Sequence, residues 1–320
     1  MSLSGIAVVT GGAGFIGSHI ARALIDNGAR VRIIDDLSTG SLQNLDEIGG
    51  EAEFINADIN DTAALNRAVK DAELVFHEAA IPSVPRSVLQ PRETHDASVN
   101  GTFNVLLAAR DAGVRRVVYA ASSSAYGDQP ESPKVESMRP DPLSPYAAAK
   151  LVGEYYCQVF TRSYNLETVS LRYFNVFGPR QDPSSQYSGV ISRFILALEA
   201  GKSPTIYGDG EQTRDFTFVA NAVKANLLAA QAPNASGRVF NIANGKSISI
   251  NDVLETLKRL TGRAEINAEY EPARVGDVRD SLADLRGAST ILGYQPEIGL
   301  EEGLRLTLDW WKTSRFSRKD

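Results

Sequence analysis

Short apolar runs alternate with amphipathic segments over the first 173 residues of the chain. The apolar, β-branched runs predict strands, and the amphipathic segments between them predict helices. The predicted strands cover residues 6–10, 31–35, 53–56, 74–77, 117–121 and 168–172. Such alternation is typical of an α/β fold, in which a doubly wound parallel sheet carries helices on both faces and binds ligands at the carboxyl ends of its strands.

The pattern loosens after residue 173. Gly, Pro and polar turns there separate shorter predicted helices over residues 190–200, 219–231 and 250–260, and a last helix with an apolar face covers residues 300–311. We therefore expect a first domain of residues 1–173 and a smaller, mostly helical lobe of residues 174–320, from which short segments return to the first domain.

A Gly-rich turn joins the first predicted strand to the first predicted helix. Residues 10–17 read Thr-Gly-Gly-Ala-Gly-Phe-Ile-Gly, in which Gly11 permits a tight turn, Gly14 lets backbone approach a pyrophosphate and Gly17 lets the helix pack on the strand. A glycine triplet alone also occurs in ordinary loops of α/β proteins. Its place between an apolar strand and a helix favours a dinucleotide site, with the phosphates at the helix N-terminus.

An acidic residue, Asp35, ends the second predicted strand. It lies about 20 residues beyond the Gly-rich turn, where folds of this kind place a carboxylate on the adenosine ribose. A carboxylate there accepts hydrogen bonds from a free 2′-hydroxyl and repels a 2′-phosphate, and the neighbouring Asp36 adds to the repulsion. The expected cofactor is therefore NAD and not NADP.

Small and polar residues follow the next three strands. They are Asp58 and Ile59 after the third strand, Ala79, Ala80 and Ile81 after the fourth, and Ser122, Ser123 and Ser124 after the fifth. Because the carboxyl ends of parallel strands meet at one edge of the sheet, each of these groups can contact the cofactor. Alanines at a strand end are also common as simple packing residues.

Composition narrows the possible functions. The 320 residues are 43% hydrophobic and 22% charged, which is typical of an ordered globular protein, and the net charge of −6 provides no general attraction to nucleic acid or to an anionic membrane. One cysteine, and three histidines without metal-ligand spacing, predict no disulfide and no metal site. With no secretory leader and no run of the ~18 apolar residues that span a bilayer, the expected location is cytoplasmic.

A tyrosine and a lysine four residues apart are the strongest candidates for catalysis. Ser144 and Pro145 are typical of a helix start, and Tyr146 and Lys150 then share one face of that helix. An ammonium close to a phenol favours the phenolate and lowers its pKa from the ordinary value of ~10, so Tyr146 could act as a general base. Such a pair alone is more often a surface feature; the dinucleotide fold and the nearby serine cluster favour catalysis.

Three motifs together resemble the extended short-chain dehydrogenase/reductase family that acts on nucleotide sugars. They are residues 10–17, the Tyr146/Lys150 pair, and residues 172–179, which read Arg-Tyr-Phe-Asn-Val-Phe-Gly-Pro. Within the family, residues 83–87 and 121–128 are most similar to UDP-hexose 4-epimerases, in particular those that accept UDP-N-acetylglucosamine. The resemblance runs from about residue 6 to residue 310 and identifies the first domain as an NAD-binding Rossmann domain and the second as a UDP-sugar-binding lobe.

The resemblance implies a mechanism. Tyr146 removes the proton of the sugar 4-hydroxyl while NAD takes the C4 hydride, and the 4-ketose turns over before the hydride returns to its other face. Ser122 forms a hydrogen bond with the oxygen of the same sugar hydroxyl, and the neighbouring Ser123 is a second catalytic candidate. Lys150 also holds the nicotinamide ribose. The implied cofactor site comprises Gly11, Gly14, Phe15, Ile16, Gly17, Asp35, Leu37, Ser38, Thr39, Gly40, Asp58, Ile59, Ala79, Ala80, Ile81, Asn100, Tyr146, Lys150 and Phe174.

The implied substrate site lies mainly in the second lobe. It comprises Ser83, Arg86, Ser122, Ser123, Ser124, Tyr146, Asn175, Val190, Tyr207, Arg214, Arg274, Asp277 and Ser281. Within it Arg214 and Arg274 clamp the diphosphate, a role that suits two forked guanidinium groups in an acidic chain, although any one arginine is more often a surface residue. Ser281, seven residues beyond Arg274, would form the wall beside C2 of the sugar, where a small residue admits an N-acetyl group, unless the alignment is shifted by one or two positions.

Two departures from the family pattern are expected to matter. Asn221 replaces the usual aspartate, which would weaken a local cap. Ser123 and Ser124 replace the Asp-Glu pair of 4,6-dehydratases, so dehydration lacks its acid and base.

The resemblance leaves alternative functions open: a UDP-glucuronate 4-epimerase, another nucleotide-sugar oxidoreductase, or a non-catalytic NAD sensor. A sensor would not need Tyr146, Lys150 and Ser122 together. The resemblance also implies a homodimer that pairs helices near residues 91–112 and 146–163.

Overall fold

The computed structural model describes residues 4–182, 189–273 and 278–313. These residues form a seven-stranded, wholly parallel sheet with helices on both faces, which confirms the predicted fold class. Six strands lie where the sequence predicts them, within one residue at either end. The seven strands are β1 (Ile6–Thr10), β2 (Arg30–Asp35), β3 (Ala52–Asn56), β4 (Leu74–His77), β5 (Arg116–Ser122), β6 (Glu167–Tyr173) and β11 (Arg238–Ile242).

The strand order explains where a ligand can bind. It is β11-β6-β5-β4-β1-β2-β3, so the chain moves outward in one direction from β1 to β3 and in the other direction from β4 to β11. The carboxyl ends of β1 and β4 are neighbours, in a register that places Thr10 beside His77. The connections leaving these two strands depart to opposite sides, and this opens a crevice at the edge of the sheet.

Both faces of the sheet are buried, which is why its strands are apolar without alternation. Val9, Ile33 and Phe76 belong to the core on one face, and their neighbours Ile34 and Val75 belong to the core on the other. The helices are α1 (Phe15–Asp26), α2 (Thr62–Val69), α3 (Val84–Leu89), α4 (Pro91–His95), α5 (Gly101–Asp111), α6 (Pro145–Tyr164), α7 (Val190–Glu199), α8 (Val219–Gln231), α9 (Ile250–Thr261), α10 (Arg286–Leu292) and α11 (Leu300–Thr313).

The second half of the chain contributes to both parts of the molecule. Strand β11 pairs with β6 at the edge of the main sheet, and α8 packs against α1 and β6. Short strands build the rest of the second half in small sheets: β7 (Val176–Phe177) with β10 (Thr217–Phe218), β8 (Thr205–Tyr207) with β13 (Glu269–Glu271), and β9 (Thr213–Arg214) between β12 (Ile248–Ser249) and β14 (Asp280–Ser281). Among the described helices, none is long and apolar enough to cross a membrane.

Candidate active site

A cleft of about 1630 Å³ runs along the carboxyl edge of the sheet and is covered by the small strands and α7 of the second half. This volume exceeds the roughly 300–1,000 Å³ of a pocket for one small ligand, so the cleft has room for two molecules side by side. The Gly-rich turn and Asp35 line one end, and Tyr207 and Ser281 line the other. Among the described residues no cluster of histidine, cysteine and carboxylate side chains could hold a metal ion.

The Gly-rich turn is shaped by close backbone contacts. Gly11 has a φ of +66°, and a Cβ there would lie 2.7 Å from the backbone of Ala79. A Cβ on Gly17 would lie 2.2 Å from the carbonyl oxygen of Gly11, so only glycine lets α1 begin so close to the turn. The N-cap of α1 is Gly14, which offers no side-chain cap. A phosphate placed at this helix end would therefore meet backbone N–H groups.

Asp35 lies beside the turn with its carboxylate at the cleft wall. Its oxygens accept hydrogen bonds from the N–H groups of Ala13, at 2.9 Å, and Leu37, at 2.8 Å. Burial raises the pKa of Asp35 above its ordinary value, and these two hydrogen bonds oppose the rise. Ser38, Thr39 and Gly40 line the same part of the cleft.

Tyr146 stands in the first turn of α6 and lines the cleft. The helix begins as predicted, because the Ser144 hydroxyl accepts a hydrogen bond from the N–H of Ala147 at 3.2 Å. Ser122, at the end of β5, accepts hydrogen bonds from the hydroxyl of Ser124, at 2.8 Å, and from its N–H, at 3.2 Å. Ser123 and Ser124 line the same wall. The phenol and the serine cluster thus line the same cleft.

The expected lowering of the Tyr146 pKa is wrong. Burial raises the pKa of Tyr146; a hydrogen bond from Ser122 lowers it, and the charge of Glu78 raises it further. Lys150 does not offset the effect of burial, because it lies behind the cleft wall and donates a hydrogen bond from Nζ to the carbonyl oxygen of Ala120 at 2.7 Å. Its ammonium therefore faces a backbone carbonyl, 5.1 Å from the ring centroid of Tyr119.

A buried ion pair holds α6 against the sheet. Both oxygens of Glu154 accept hydrogen bonds from Arg172 of β6, at 2.8 and 2.7 Å, and the side chains are only 1% and 4% exposed. Because Glu154 lies one turn beyond Lys150, this bidentate contact sets which face of the helix points to the cleft. The guanidinium also stacks over the ring of Tyr126 at 4.6 Å.

Most of the predicted substrate residues line the same cleft: Ser83, Arg86, Asn175, Val190, Tyr207, Arg214 and Ser281. In β14 Ser281 pairs with Arg214 of β9. The Asn175 amide donates a hydrogen bond to the carbonyl oxygen of Asp215 at 3.0 Å. Arg274 and Asp277 lie outside the described residues. The remaining cofactor candidates Phe15, Ile16, Asp58, Ile59, Ala80 and Ile81 also line the cleft, nearer the Gly-rich turn.

Four predicted cofactor residues do not line the cleft: Lys150, which lies behind its wall, and Asn100, Phe174 and Leu37. Asn100 is exposed and donates a hydrogen bond to Asp96 at 2.9 Å, so the cleft wall at this helix is formed by Asp96 and the next residue, Ala97. Phe174 is fully buried in the core. The side chain of Leu37 lies beyond the cleft, at a turn with a φ of +60°, and the residue contributes its N–H to Asp35.

The expected weakening of a cap at Asn221 is also wrong. The buried amide donates a hydrogen bond to the carbonyl oxygen of Ile298, at 2.8 Å, and accepts hydrogen bonds from the N–H groups of Glu297 and Ile298. Only an amide provides both donor and acceptor here, so an aspartate would lose the first of these contacts.

The sequence assigned no specific role to several residues of the cleft. Glu78 lines it directly after β4, and a carboxylate at the end of an apolar strand was a usable signal. Arg193 of α7 also lines it, and its guanidinium lies 5.9 Å from the ring centroid of Tyr207. Arg180 lines it as well and forms an ion pair with Glu47 across the two halves of the chain.

The sequence and the fold match known proteins along nearly their whole length. Residues 7–243 match the family described as NAD dependent epimerase/dehydratase. The chain is 42% identical to a putative UDP-glucose 4-epimerase of Methanocaldococcus jannaschii, over 96% of this chain and 98% of that protein.

The solved structures that are similar to this one include two epimerases. The UDP-N-acetylglucosamine 4-epimerase of Methanobrevibacter ruminantium, in complex with UDP-N-acetylmuramic acid, has a TM-score of 0.93 at 42% identity, with 98% of this chain and 99% of that chain covered. The UDP-glucose 4-epimerase of Thermus thermophilus, in complex with NAD, has a TM-score of 0.88 at 34% identity, with 97% and 99% covered.

Proposed function

The chain belongs to the NAD dependent epimerase/dehydratase family, and from this premise we propose that it is a UDP-sugar 4-epimerase. The proposed substrates are UDP-N-acetylglucosamine with UDP-N-acetylgalactosamine, and UDP-glucose with UDP-galactose. The observation that carries the proposal is that Tyr146 and Ser122 line the same cleft as a dinucleotide-type turn and residues of the second lobe. The UDP-sugar 4-epimerases among its relatives support the same reaction.

The cleft fits the NAD that the family requires. The glycine N-cap of α1 leaves no side chain in the way of a pyrophosphate, and the carboxylate of Asp35 lies at the same end of the cleft. In the proposal Gly11, Gly14 and Gly17 form the phosphate cradle, and Asp35 accepts hydrogen bonds from the adenosine ribose. Bound NAD supplies the chemistry of accepting a hydride from C4 of the sugar and returning it.

The residues of the chain move and hold the proton. In the proposed mechanism Tyr146 accepts the proton of the sugar 4-hydroxyl, and Ser122 donates a hydrogen bond that stabilises the phenolate. Lys150, which donates a hydrogen bond to the carbonyl oxygen of Ala120, holds the nicotinamide ribose in the proposal. When the 4-ketose has turned over, Tyr146 returns the proton to the oxygen on C4, so the protein ends in its starting state.

The serine cluster favours epimerisation over dehydration, the other activity in the family's name. Loss of water from the sugar needs an acid for the leaving oxygen and a base for the C5 proton. The corresponding wall positions carry the hydroxyl groups of Ser123 and Ser124, whose ordinary chemistry at neutral pH includes neither role.

The proposed acceptance of acetylated sugars depends on Ser281. This residue is 9% exposed, lines the cleft, and pairs in register with Arg214, the proposed diphosphate ligand. A small side chain so close to the diphosphate end leaves space beside the sugar for an N-acetyl group.

A homodimer is also part of the proposal. Apolar side chains of α3, α5 and α6 remain exposed in the single chain, among them Leu89, Phe103, Tyr155 and Val159. Of these helices, α5 and α6 lie in the two regions that the sequence predicts to pair. Exposed patches of apolar residues commonly mark protein–protein interfaces, and a second copy of the chain would cover this one.

We also propose a cytoplasmic location. The single cysteine, Cys157, is buried and free, which agrees with a reducing compartment.

One experiment tests the function. The purified protein, without added NAD, is incubated separately with UDP-glucose, UDP-N-acetylglucosamine and UDP-glucuronate, and the anomeric proton is followed by NMR. We expect the first two to approach a mixture of C4 epimers. Turnover of UDP-glucuronate alone would identify the alternative epimerase, and NAD binding without turnover of any sugar would identify a sensor.

A further inference from the structure

Arg180 is a buried arginine of the cleft to which neither the motifs nor the proposed mechanism assigns a role. It follows β7, and its side chain is 7% exposed. Its Nη2 forms an ion pair with the carboxylate of Glu47. Its Nη1 is buried, and among the described residues no acceptor lies within hydrogen-bond distance of it. A buried charged donor without a partner is costly, so we expect an acceptor on a ligand.

The chain at Arg180 packs on α1, the helix that follows the Gly-rich turn. The carbonyl oxygen of Pro179, the preceding residue, accepts a hydrogen bond from Nε2 of His19 in α1 at 2.9 Å. Burial and, next to it, the charge of Arg180 lower the pKa of His19 to about 4, so this ring is neutral at neutral pH. Both observations place the guanidinium close to the first turns of α1.

The segment that carries Glu47 also packs on the Gly-rich turn. In this segment the amide of Asn44 donates a hydrogen bond to the carbonyl oxygen of Ala13, within the turn, at 2.9 Å. Asn44, Gly14 and Arg180 line the same cleft. The guanidinium is therefore held between two segments that both contact the turn or its helix, where the diphosphate of the cofactor is proposed to bind.

The backbone of Arg180 gives independent support. Its φ is +68°, in the left-handed region that residues with a Cβ seldom adopt. Such a conformation persists only where the surrounding structure holds it, and residues of this kind cluster at ligand-binding sites. Here the contact of Pro179 with His19 and the ion pair with Glu47 hold it.

We propose that Arg180 binds the diphosphate of NAD: Nη1 donates a hydrogen bond to a phosphate oxygen, while Nη2 remains paired with Glu47. Arg180 thereby fastens the second half of the chain to the cofactor and slows its release. The inference rests on the part of the proposed function that places NAD at the Gly-rich turn, and it does not depend on the sugar. Backbone N–H groups carry only partial charges, so a guanidinium adds the full positive charge that suits a diphosphate in a chain of net charge −6.

The test measures how fast bound NAD leaves the protein. Wild type, Arg180→Gln and Glu47→Gln are saturated with isotopically labelled NAD, an excess of unlabelled NAD is added, and the loss of label from the protein is followed. Removing a hydrogen bond between charged groups acts mainly on dissociation, so release should be about tenfold to 100-fold faster in Arg180→Gln. Glu47→Gln keeps Nη1 in place and should accelerate release by at most about fivefold, the scale of an exposed ion pair.

The matched control is Arg22→Gln. Arg22 belongs to α1 and pairs with Glu51 at 2.7 Å, but it does not line the cleft, so its loss should leave NAD release unchanged. As a second readout, the affinity of each NAD-loaded protein for UDP is measured by calorimetry, and Arg180→Gln should bind UDP as the wild type does. If the wild type holds NAD but turns over no UDP-sugar, the proposed function has failed, while the release rates still decide the role of Arg180.

Three results would overturn the inference. Equal acceleration in Arg180→Gln and Glu47→Gln would mean that only their ion pair matters, and unchanged release in Arg180→Gln would mean that Arg180 does not hold the cofactor. Weaker UDP binding without faster NAD release would assign Arg180 to the substrate. If Arg180→Gln does not fold, Arg180→Lys takes its place: it keeps the charge but lacks the fork that reaches both partners, so release should still be faster, and release at the wild-type rate would overturn the proposal.

Discussion

Replacing Ser281 by tyrosine is expected to separate the acetylated from the non-acetylated UDP-sugars. Ser281 lies in β14, paired with Arg214, at the wall of the cleft. Its neighbour Asp280 accepts a hydrogen bond from the hydroxyl of Thr213 at 2.6 Å, and Ala283 just beyond is buried. Because the strand is held on both sides of the substitution, the new ring has to enter the cleft.

The size of the effect follows from the space the ring takes. Overfilling a packed site costs about 1–3 kcal/mol. At about 1.4 kcal/mol for each factor of ten, this corresponds to a loss of roughly fivefold to 150-fold in kcat/KM for the acetylated sugars. A sugar with a hydroxyl at C2 needs less room there, so the activity on UDP-glucose should be largely preserved.

The assay measures kcat/KM for UDP-N-acetylglucosamine and UDP-glucose with wild type, Ser281→Tyr and Ser281→Ala, by following the anomeric proton. The alanine variant removes the hydroxyl without adding volume, and it should keep both activities. A comparable loss of both activities in Ser281→Tyr, or no acetylated activity in the wild type, would refute the reasoning about C2 and leave the epimerase proposal intact.

Three further predictions concern the mechanism, the stability and the assembly. Tyr146→Phe should keep the fold and NAD binding but lose at least ~10²-fold in kcat, the scale expected for a positioned proton-transfer group; turnover close to that of the wild type would show that another residue is the base. Glu154→Leu leaves the guanidinium of Arg172 buried without its carboxylate, so the free energy of unfolding in urea should fall by about 3–5 kcal/mol. The control Glu297→Leu breaks the exposed pair with Lys224 and should cost no more than about 1 kcal/mol; equal losses in the two variants would contradict the importance of burial. Sedimentation at micromolar concentration should show a dimer of the 34.6 kDa chain, and a single monomeric species would count against pairing through α3, α5 and α6.

Features that depend on neighbouring residues could be read from the sequence. The strands of the first domain, the Gly-rich turn and the capped start of α6 follow from apolar runs, glycine positions and a Ser-Pro pair, each within a few residues. These are local rules, since backbone sterics and burial of apolar faces act over one or two turns of chain. The fold class followed because alternating strands and helices have few ways to pack.

Features that depend on distant residues were decided by the tertiary structure. The spacing of Tyr146 and Lys150 placed both residues on one helix face. The direction in which the Lys150 ammonium points was decided by the carbonyl group of Ala120, which lies in β5 and accepts its hydrogen bond. Asn100 fits a motif by its position in the chain, yet the helix turns it toward solvent.

The same holds for Glu78, which gains its environment from Tyr173 and Asn226, 95 and 148 residues further along the chain. The pKa of a buried group depends on the charges, dipoles and solvent within a few ångströms, and only folding brings these together. The sequence by itself therefore determined the elements and the kinds of chemistry available at their ends, whereas the packing of α6 and α8 on the sheet decided which charges face one another.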